Sequence, residues 1–255
     1  MHLQTAILLF FAGALGGGIN AVAGGGSFIA FPALLFTGVP PIPANATNTL
    51  ALWVGTTASG RAYRQKLNLP TRILVPLVIT SLVGGLGGAI LLIHTPPRTF
   101  LRVIPWLLLG ATLLFAFGNR LTGRISAGIS HDASNRAVVG ASLFELLVAV
   151  YGGYFGGGIG IMNLAMLAAL GMTDIHAMNK LKVGLGGVIN GVATVAFIVN
   201  KAIFWPQAML MICASVLGGL STAHFAQKLP QSWVKGFVIL VGAAMTAVFF
   251  WRGYR

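Results

Sequence analysis

The sequence predicts an all-α polytopic membrane protein with two homologous repeats of four to five hydrophobic segments each, eight to ten in total, and glycine-rich helix breaks. Of its 255 residues, 56% are hydrophobic and 7% are charged, whereas a soluble domain carries about 25% charged residues. The chain also contains 35 glycines, which allow transmembrane helices to pack closely. The hydrophobic segments do not alternate apolar and polar residues, which argues against an outer-membrane β-barrel.

The first half begins with two short apolar segments that meet at a glycine break. Residues 6–22 lead into Gly24-Gly25-Gly26-Ser27, and residues 27–39 end at a proline-rich turn. Both segments are shorter than the about 20 residues that a spanning helix needs, so we expect a discontinuous or re-entrant pair. Such backbone is tolerated at membrane depth only where protein or a water-filled cavity covers it. Further segments follow at 44–60, 73–93 and 99–118.

The second half has the same plan. Residues 137–155 lead into Gly156-Gly157-Gly158, and residues 159–171 form another short segment. The remaining segments lie at 177–199, 204–224 and 232–251. We therefore predict a first transmembrane repeat at 1–118, a polar linker at 119–136 and a second transmembrane repeat at 137–255.

A nearly constant offset supports the internal repeat. The hexapeptide at 81–86 matches the one at 215–220 at an offset of 134 residues, and the glycine triplets match at 132. Four segments per repeat would make the two halves parallel in the membrane, whereas five would invert one relative to the other.

Each half also contains a helix with a polar stripe after its glycine break. In the second half Asn179, Lys182, Gly186 and Asn190 share one face, since each helical residue advances about 100°. The 134-residue offset aligns this face with Asn45, Asn48, Leu52 and Thr56. A charge at bilayer depth costs roughly 2.5–3.5 kcal/mol on insertion scales, so Lys182 predicts a partner or a water-filled cavity. The alternative is that Lys180 and Lys182 lie near a helix end and extend to the interface.

Two halves that each provide a glycine break and a polar helix predict a central transport site. Helix N-termini offer free amides and a favourable dipole to an anion, Lys182 would select for negative charge, and asparagines would donate neutral hydrogen bonds. For the glycines, the alternative is a role in close helix packing. The candidate substrate-binding residues are Gly24, Gly25, Gly26, Ser27, Asn45, Thr47, Asn48, Thr56, Gly156, Gly157, Gly158, Asn179, Lys182 and Asn190.

Motifs in both halves match those of a known family. They are GGGSFIAFPALL at 24–35 and ANATN at 44–48 in the first half, and GGGIG at 156–160, MNKLK at 178–182 and IFW at 203–205 in the second. Together they resemble the TauE/SafE family over nearly the whole chain. The resemblance implies a multi-pass transporter of the inner (plasma) membrane that carries sulfur-containing anions such as sulfite and organosulfonates, often as an exporter.

Glu145 is one of only three acidic residues and lies within an apolar segment. It is a candidate for proton coupling; alternatively it pairs with a lysine, or lies at the membrane interface without a specific role. No Walker A motif and no catalytic triad or carboxylate pair is evident. We therefore expect no enzyme activity, no cofactor and no metal.

The net charge of +13 follows from basic residues at helix ends, as the positive-inside rule requires, and does not indicate nucleic-acid binding. The basic loop at 61–72 is therefore assigned to the cytoplasm. The expected partners are a small anionic substrate and the lipid bilayer, with a homodimer as one alternative for the oligomeric state.

The sequence as a whole predicts a secondary transporter of small anions that works by alternating access between two repeats. A passive anion channel and a scaffold or partner subunit in the membrane are the alternatives.

Overall fold

The computed structural model describes residues 2–60, 70–122, 134–170, 172, 175–225 and 231–254. Every secondary-structure element within these ranges is an α-helix, and each coincides with one of the predicted apolar segments. The helices are α1 (Leu3–Ala23), α2 (Ser27–Phe36), α3 (Pro41–Gly60), α4 (Thr71–His94), α5 (Pro97–Thr122), α6 (Asn135–Tyr154), α7 (Ile159–Ala169), α8 (Ile175–Val199), α9 (Trp205–Phe225) and α10 (Gln231–Gly253). The all-helical membrane fold is thereby confirmed.

Among the described residues, four stretches are long and apolar enough to cross a bilayer: Leu3–Ala21, Thr71–His94, Asn135–Tyr154 and Ala177–Val199. Shorter apolar helices cover Ser27–Phe36, Ile159–Ala168 and Ile239–Trp251. At about 1.5 Å per residue, α2 and α7 span only about half of the roughly 30 Å hydrocarbon core. The chain is thus a multi-pass membrane protein in which two helices are too short to cross alone.

Two helices border the predicted polar linker at 119–136, and its role as a boundary between two repeats stays a prediction. Helix α5 continues through Thr122, and α6 already begins at Asn135. Ser134 caps α6, because its hydroxyl oxygen accepts a hydrogen bond from the Ala137 amide at 3.3 Å. Serine at this position satisfies an amide that has no partner within the helix.

Helix α2 folds back along α1. The chain turns at Gly24, whose φ of +79° lies in the left-handed region that favours glycine. A β-carbon on Gly16 of α1 would lie 3.1 Å from the Ala30 β-carbon of α2, so the two helices touch well before the turn. Helices α6 and α7 meet at a similar turn, where Gly156 and Gly158 have φ of +79° and +84°.

The two halves of the chain exchange helices. Helix α4 packs against α6 and α8 of the second half, while α9 packs against α1 and α3 of the first. Glycines make both contacts close: a β-carbon on Gly153 would overlap the Gly85 carbonyl oxygen, and one on Gly17 would overlap the Ser215 carbonyl oxygen. Such close approach supports helix association in a membrane, where lipid is as apolar as the side chains.

Helices α3 and α8 cross in opposite directions at the centre of the molecule. Gly60 near the end of α3 lies beside Val183 near the start of α8, and Trp53, earlier in α3, lies beside Gly191, later in α8. Helix α1 instead runs alongside α3 in the same direction, because Gly16 approaches Leu52 and Asn20 donates a hydrogen bond to Thr56. These three helices and the two glycine breaks surround the region where α3 and α8 cross.

Candidate functional site

A cavity lies where α3 and α8 cross, beside both glycine breaks. Its empty volume is about 560 Å³, including a part that is open to the outside. Five helices and both breaks contribute to its wall. The lining residues are Asn20, Gly24, Ser27, Thr49, Leu52, Trp53, Thr56, Gly156, Ile159, Gly160, Lys182, Val183, Gly186, Gly187 and Asn190.

Among the described residues, Lys182 supplies the only lysine or arginine side chain in this lining. The residue is 4% exposed, and within the described part of the chain its Nζ has no hydrogen-bond partner. Its stem passes close to α7, since a β-carbon on Gly160 would lie 3.2 Å from Lys182 Cδ. A buried cation without a partner is costly, and an anion in the cavity would offset that cost.

The N-terminal ends of α2 and α7 both contribute residues to the cavity lining. Gly24 and Gly156 share a φ of +79°, and a β-carbon on Gly24 would lie 3.3 Å from Gly160 Cα, so the two breaks touch. Neither helix has a side-chain cap. Because the first amides of a helix lack acceptors within it, both ends present hydrogen-bond donors and a positive dipole end.

Polar side chains of α1 and α3 form another wall. Asn20 Nδ2 donates to Thr56 Oγ1 at 2.6 Å, and the Thr56 hydroxyl donates to the Leu52 carbonyl oxygen at 2.7 Å. Thr49 likewise donates to the Asn45 carbonyl oxygen at 2.9 Å. Both threonine hydroxyls thus bond back to their own helix, a common arrangement for helical threonine, so an anion would find few free donors on α3.

Three predicted residues of α3 lie behind the cavity wall instead of on it. Asn48 Nδ2 donates to Ser27 Oγ at 3.1 Å, Asn45 Nδ2 donates to the Tyr154 carbonyl oxygen at 3.1 Å, and Thr47 Oγ1 accepts from the Phe204 amide at 3.1 Å. These bonds hold α3 against α2, the end of α6 and the start of α9. Direct contact of these side chains with a substrate stays a prediction.

The sequence-based candidates thus divide into two groups. Gly24, Ser27, Thr56, Gly156, Lys182 and Asn190 line the cavity. Gly25, Gly26, Asn45, Thr47, Asn48, Gly157, Gly158 and Asn179 are absent from its lining.

Two of the non-lining glycines have visible packing roles. A β-carbon on Gly26 would overlap the Gly16 carbonyl oxygen, so Gly26 lets α2 approach α1. A β-carbon on Gly157 would lie 2.8 Å from Phe155 Cε1, so glycine leaves room for the Phe155 ring. Close packing, the alternative role for the glycine triplets, therefore applies to at least one glycine in each triplet.

Sequence reasoning missed several cavity residues as candidates. Asn20 is a polar residue in an apolar segment, one turn before Gly24, and this position could have identified it as a candidate. Trp53 is unremarkable in the sequence of a membrane helix. Gly160 and Gly187 lie near the predicted glycines, but only the helix crossing shows which of them face the cavity.

Glu145 lies outside the cavity, in the interface of α6 with α4. Its side chain is fully buried within the protein. Ser81 Oγ donates to Oε1 at 2.6 Å, whereas Oε2 has no hydrogen-bond partner in the described residues. Most of the basic loop at 61–72 and the other two acidic residues, Asp132 and Asp174, lie outside the part of the chain that the structure describes.

Comparison with known proteins gives a consistent result. A family model described as "Sulfite exporter TauE/SafE" matches residues 9–249. A "Probable membrane transporter protein" of Haemophilus influenzae is 29% identical, with 94% of this chain and 92% of the relative covered. "Probable membrane transporter protein ORF9" of a Sinorhizobium species is 26% identical (93% and 89% covered), and "Probable membrane transporter protein YfcA" of Escherichia coli K12 is 25% identical (94% and 87% covered). The chain therefore belongs to the TauE/SafE family.

Proposed function

We propose that this protein is a secondary transporter, acting as an exporter, of small anions of the sulfite and organosulfonate class in the inner (plasma) membrane. The substrate binds in the cavity at the α3–α8 crossing. The family description and the names of the relatives support transport as the general function. The chemistry of the cavity supports an anion as the cargo.

The observation that carries the proposal is the environment of Lys182. Its Nζ is buried without a partner among the described residues, and it shares the cavity with the N-termini of α2 and α7. Sulfite and sulfonate groups carry several oxygens, which accept hydrogen bonds from amides and from an ammonium group. A metal cation would meet the same positive charge and be disfavoured.

Alternating access follows in this proposal from two inverted repeats, α1–α5 and α6–α10. Helices α3 and α8, which the 134-residue offset makes equivalent, cross in opposite directions, as inversion requires. The exchange of α4 and α9 between the halves is reciprocal. Six pairs of offset-related positions line the cavity, namely Gly24 with Gly156, Ser27 with Ile159, Thr49 with Val183, Leu52 with Gly186, Trp53 with Gly187 and Thr56 with Asn190.

Proton coupling through Glu145 is the second part of the proposal. A carboxyl group can gain and lose a proton, and this one is buried between α4 and α6 with one oxygen unpartnered in the described residues. Helix α6 leads directly into the Gly156 break, so a change at the α4–α6 interface can reach the cavity. The charge state of Glu145 would then bias which side the cavity faces.

The test is current recorded from purified protein in proteoliposomes on a solid-supported membrane. Sulfite, ethanesulfonate, sulfate and acetate are applied in turn, with and without a proton gradient. We expect currents with the first two anions and none with Lys182→Ala, because the cavity then lacks its cation. Lys180→Ala is the matched control, since Lys180 lies on the same helix and does not line the cavity.

Other results would contradict specific parts of the proposal. Full currents from Lys182→Ala would remove Lys182 from the site. Flux that only follows the anion's own gradient, whatever proton gradient is imposed, would favour a passive channel. No current with any of the four anions, from protein shown to be folded, would favour a scaffold role.

A further inference from the structure

The two faces of the cavity that come from α3 and α8 differ in bulk. Leu52 and Trp53 project from α3, whereas the positions related to them by the 134-residue offset are Gly186 and Gly187 on α8. All four residues line the cavity. The empty space is thus displaced toward α8, on the same face as Lys182.

Packing does not require glycine at either position of α8. Among the described residues outside its own helix, a β-carbon on Gly187 would have no neighbour within 4 Å, and one on Gly186 would touch only Ile159 Cδ1, at 3.7 Å. Glycine inside a helix costs about 0.5–1 kcal/mol relative to alanine. No neighbouring helix compensates for that cost here, unlike at Gly153 or Gly17, where a β-carbon would overlap backbone.

Unpartnered polar atoms flank this space. Lys182 is one turn before Gly186, and its buried Nζ has no partner in the described residues; Asn190 is one turn after, and its buried Oδ1 is likewise unpartnered there. Residues four apart lie above one another on a helix. The glycine surface is therefore a groove that starts at a cation and is closed on the other side by Trp53 and Leu52.

We propose that Gly186 and Gly187 form a size-selecting subsite for the organic group of the transported anion. The charged head binds at Lys182 and the helix N-termini, and a short carbon chain lies over the two glycines against the Trp53 ring and the Leu52 side chain. The substrate class is then a short organosulfonate, with sulfite as a smaller anion that leaves the subsite empty. This inference rests on the anion transport proposed above.

The position of Trp53 depends on a third glycine. A β-carbon on Gly191 would lie 3.1 Å from Trp53 Cζ2, closer than most contacts of a real side chain. Gly191 thus allows the indole to lie against α8, which keeps the ring out of the groove. The subsite therefore needs small residues both under the ligand and behind the tryptophan.

The experiment compares a series of anions on matched variants. Currents from sulfite, methanesulfonate, ethanesulfonate and propanesulfonate are measured for the wild type, Gly186→Ala, Gly187→Ala and Gly187→Val. Gly184→Val is the control, because Gly184 is exposed on the same helix, has open space around it and does not line the cavity. Size-exclusion chromatography verifies that each variant is folded.

We expect Gly187→Val to reduce the ratio of propanesulfonate to sulfite current by at least about tenfold, since one methylene in an apolar pocket discriminates by about 10- to 200-fold. The alanine variants should give smaller shifts in the same direction, and Gly184→Val none. Equal losses for sulfite and propanesulfonate, or no loss for either, would overturn the subsite while leaving anion transport in place. A folded wild type that carries none of the four anions would overturn both proposals.

Discussion

The α4–α6 interface and the α3–α8 cavity each contain glycines and one buried ionisable side chain, but the surroundings of these residues differ. In the interface the glycines are covered by backbone, and the Glu145 carboxylate accepts a hydrogen bond from Ser81. In the cavity Gly187 faces open space, and Lys182 Nζ has no partner in the described residues. The first arrangement completes the packing of two helices, and the second leaves room and charge for a ligand.

This difference shows that residue type alone does not identify a binding glycine in a membrane protein. The informative quantity is the distance between a β-carbon placed on the glycine and the nearest atoms of neighbouring helices. Where it would overlap a carbonyl oxygen, glycine holds helices together. Where it would meet nothing, beside a buried unpartnered charge, glycine leaves volume for another molecule.

The largest effect on stability is expected for Gly153→Val in the interface. Its side chain would overlap the Gly85 carbonyl oxygen, and overpacking of this kind costs about 1–3 kcal/mol or more. The midpoint of thermal unfolding in detergent should fall by about 2–12 °C. An unchanged midpoint would show that α4 and α6 are free to separate, and the distinction between the two regions would fail.

Glu145→Gln tests whether the interface carboxyl group does more than support packing. Glutamine keeps the size of the side chain and can still accept the Ser81 hydrogen bond, but it cannot release a proton. Uphill transport driven by a pH gradient should be lost, while exchange of labelled for unlabelled anion continues. The measurement is anion uptake in proteoliposomes under both regimes. Uptake that still follows the pH gradient would make Glu145 purely structural.

Asn48→Ala tests the residues directly behind the cavity wall. Asn48 holds the Ser27 hydroxyl by a 3.1 Å hydrogen bond, and a net hydrogen bond is worth about 0.5–1.5 kcal/mol. Transport should therefore weaken by about 2- to 10-fold, less than in Lys182→Ala, as a concentration series of sulfite currents would show. A complete loss would indicate that Asn48 contacts the anion itself.

The smallest effect is expected for the stability of Gly187→Ala. The added methyl group meets no neighbour within 4 Å in the part of the chain that the structure describes, and alanine is a better helix former by about 0.8–1.0 kcal/mol. The thermal midpoint should stay the same or rise slightly. A fall comparable to that of Gly153→Val would mean that Gly187 is a packing glycine after all.

The positions of most helices along the chain could be predicted from the sequence, because a membrane helix requires a long apolar run of residues. The ten helices of the described residues coincide with predicted segments. Lys182 and Asn190 both line the cavity, as expected from their spacing of eight residues on one helix. The division into two repeats joined by a polar linker at 119–136 stays a prediction, because most of that linker lies outside the described residues.

The composition of the site could not be predicted in the same way, because it depends on contacts between segments that are distant in the sequence. The sequence does not show that Asn48 faces Ser27 and not the cavity, or that Asn20 of α1 reaches Thr56. Gly26 and Gly187 are equally plausible in the sequence, yet one lies under a carbonyl oxygen and the other in open space. Such differences arise from the way the helices cross in three dimensions, and the sequence pattern does not show this crossing.

Binding of ethanesulfonate to the purified protein, measured by isothermal titration calorimetry for the wild type and Lys182→Met, tests the central claim most directly. Methionine preserves the length of the buried stem and removes only the ammonium group. A charge-assisted hydrogen bond is worth about 1.5–3 kcal/mol, so the Kd should rise by at least about tenfold while the thermal midpoint is maintained. Equal Kd values for the two proteins would contradict the assignment of the cavity as an anion site.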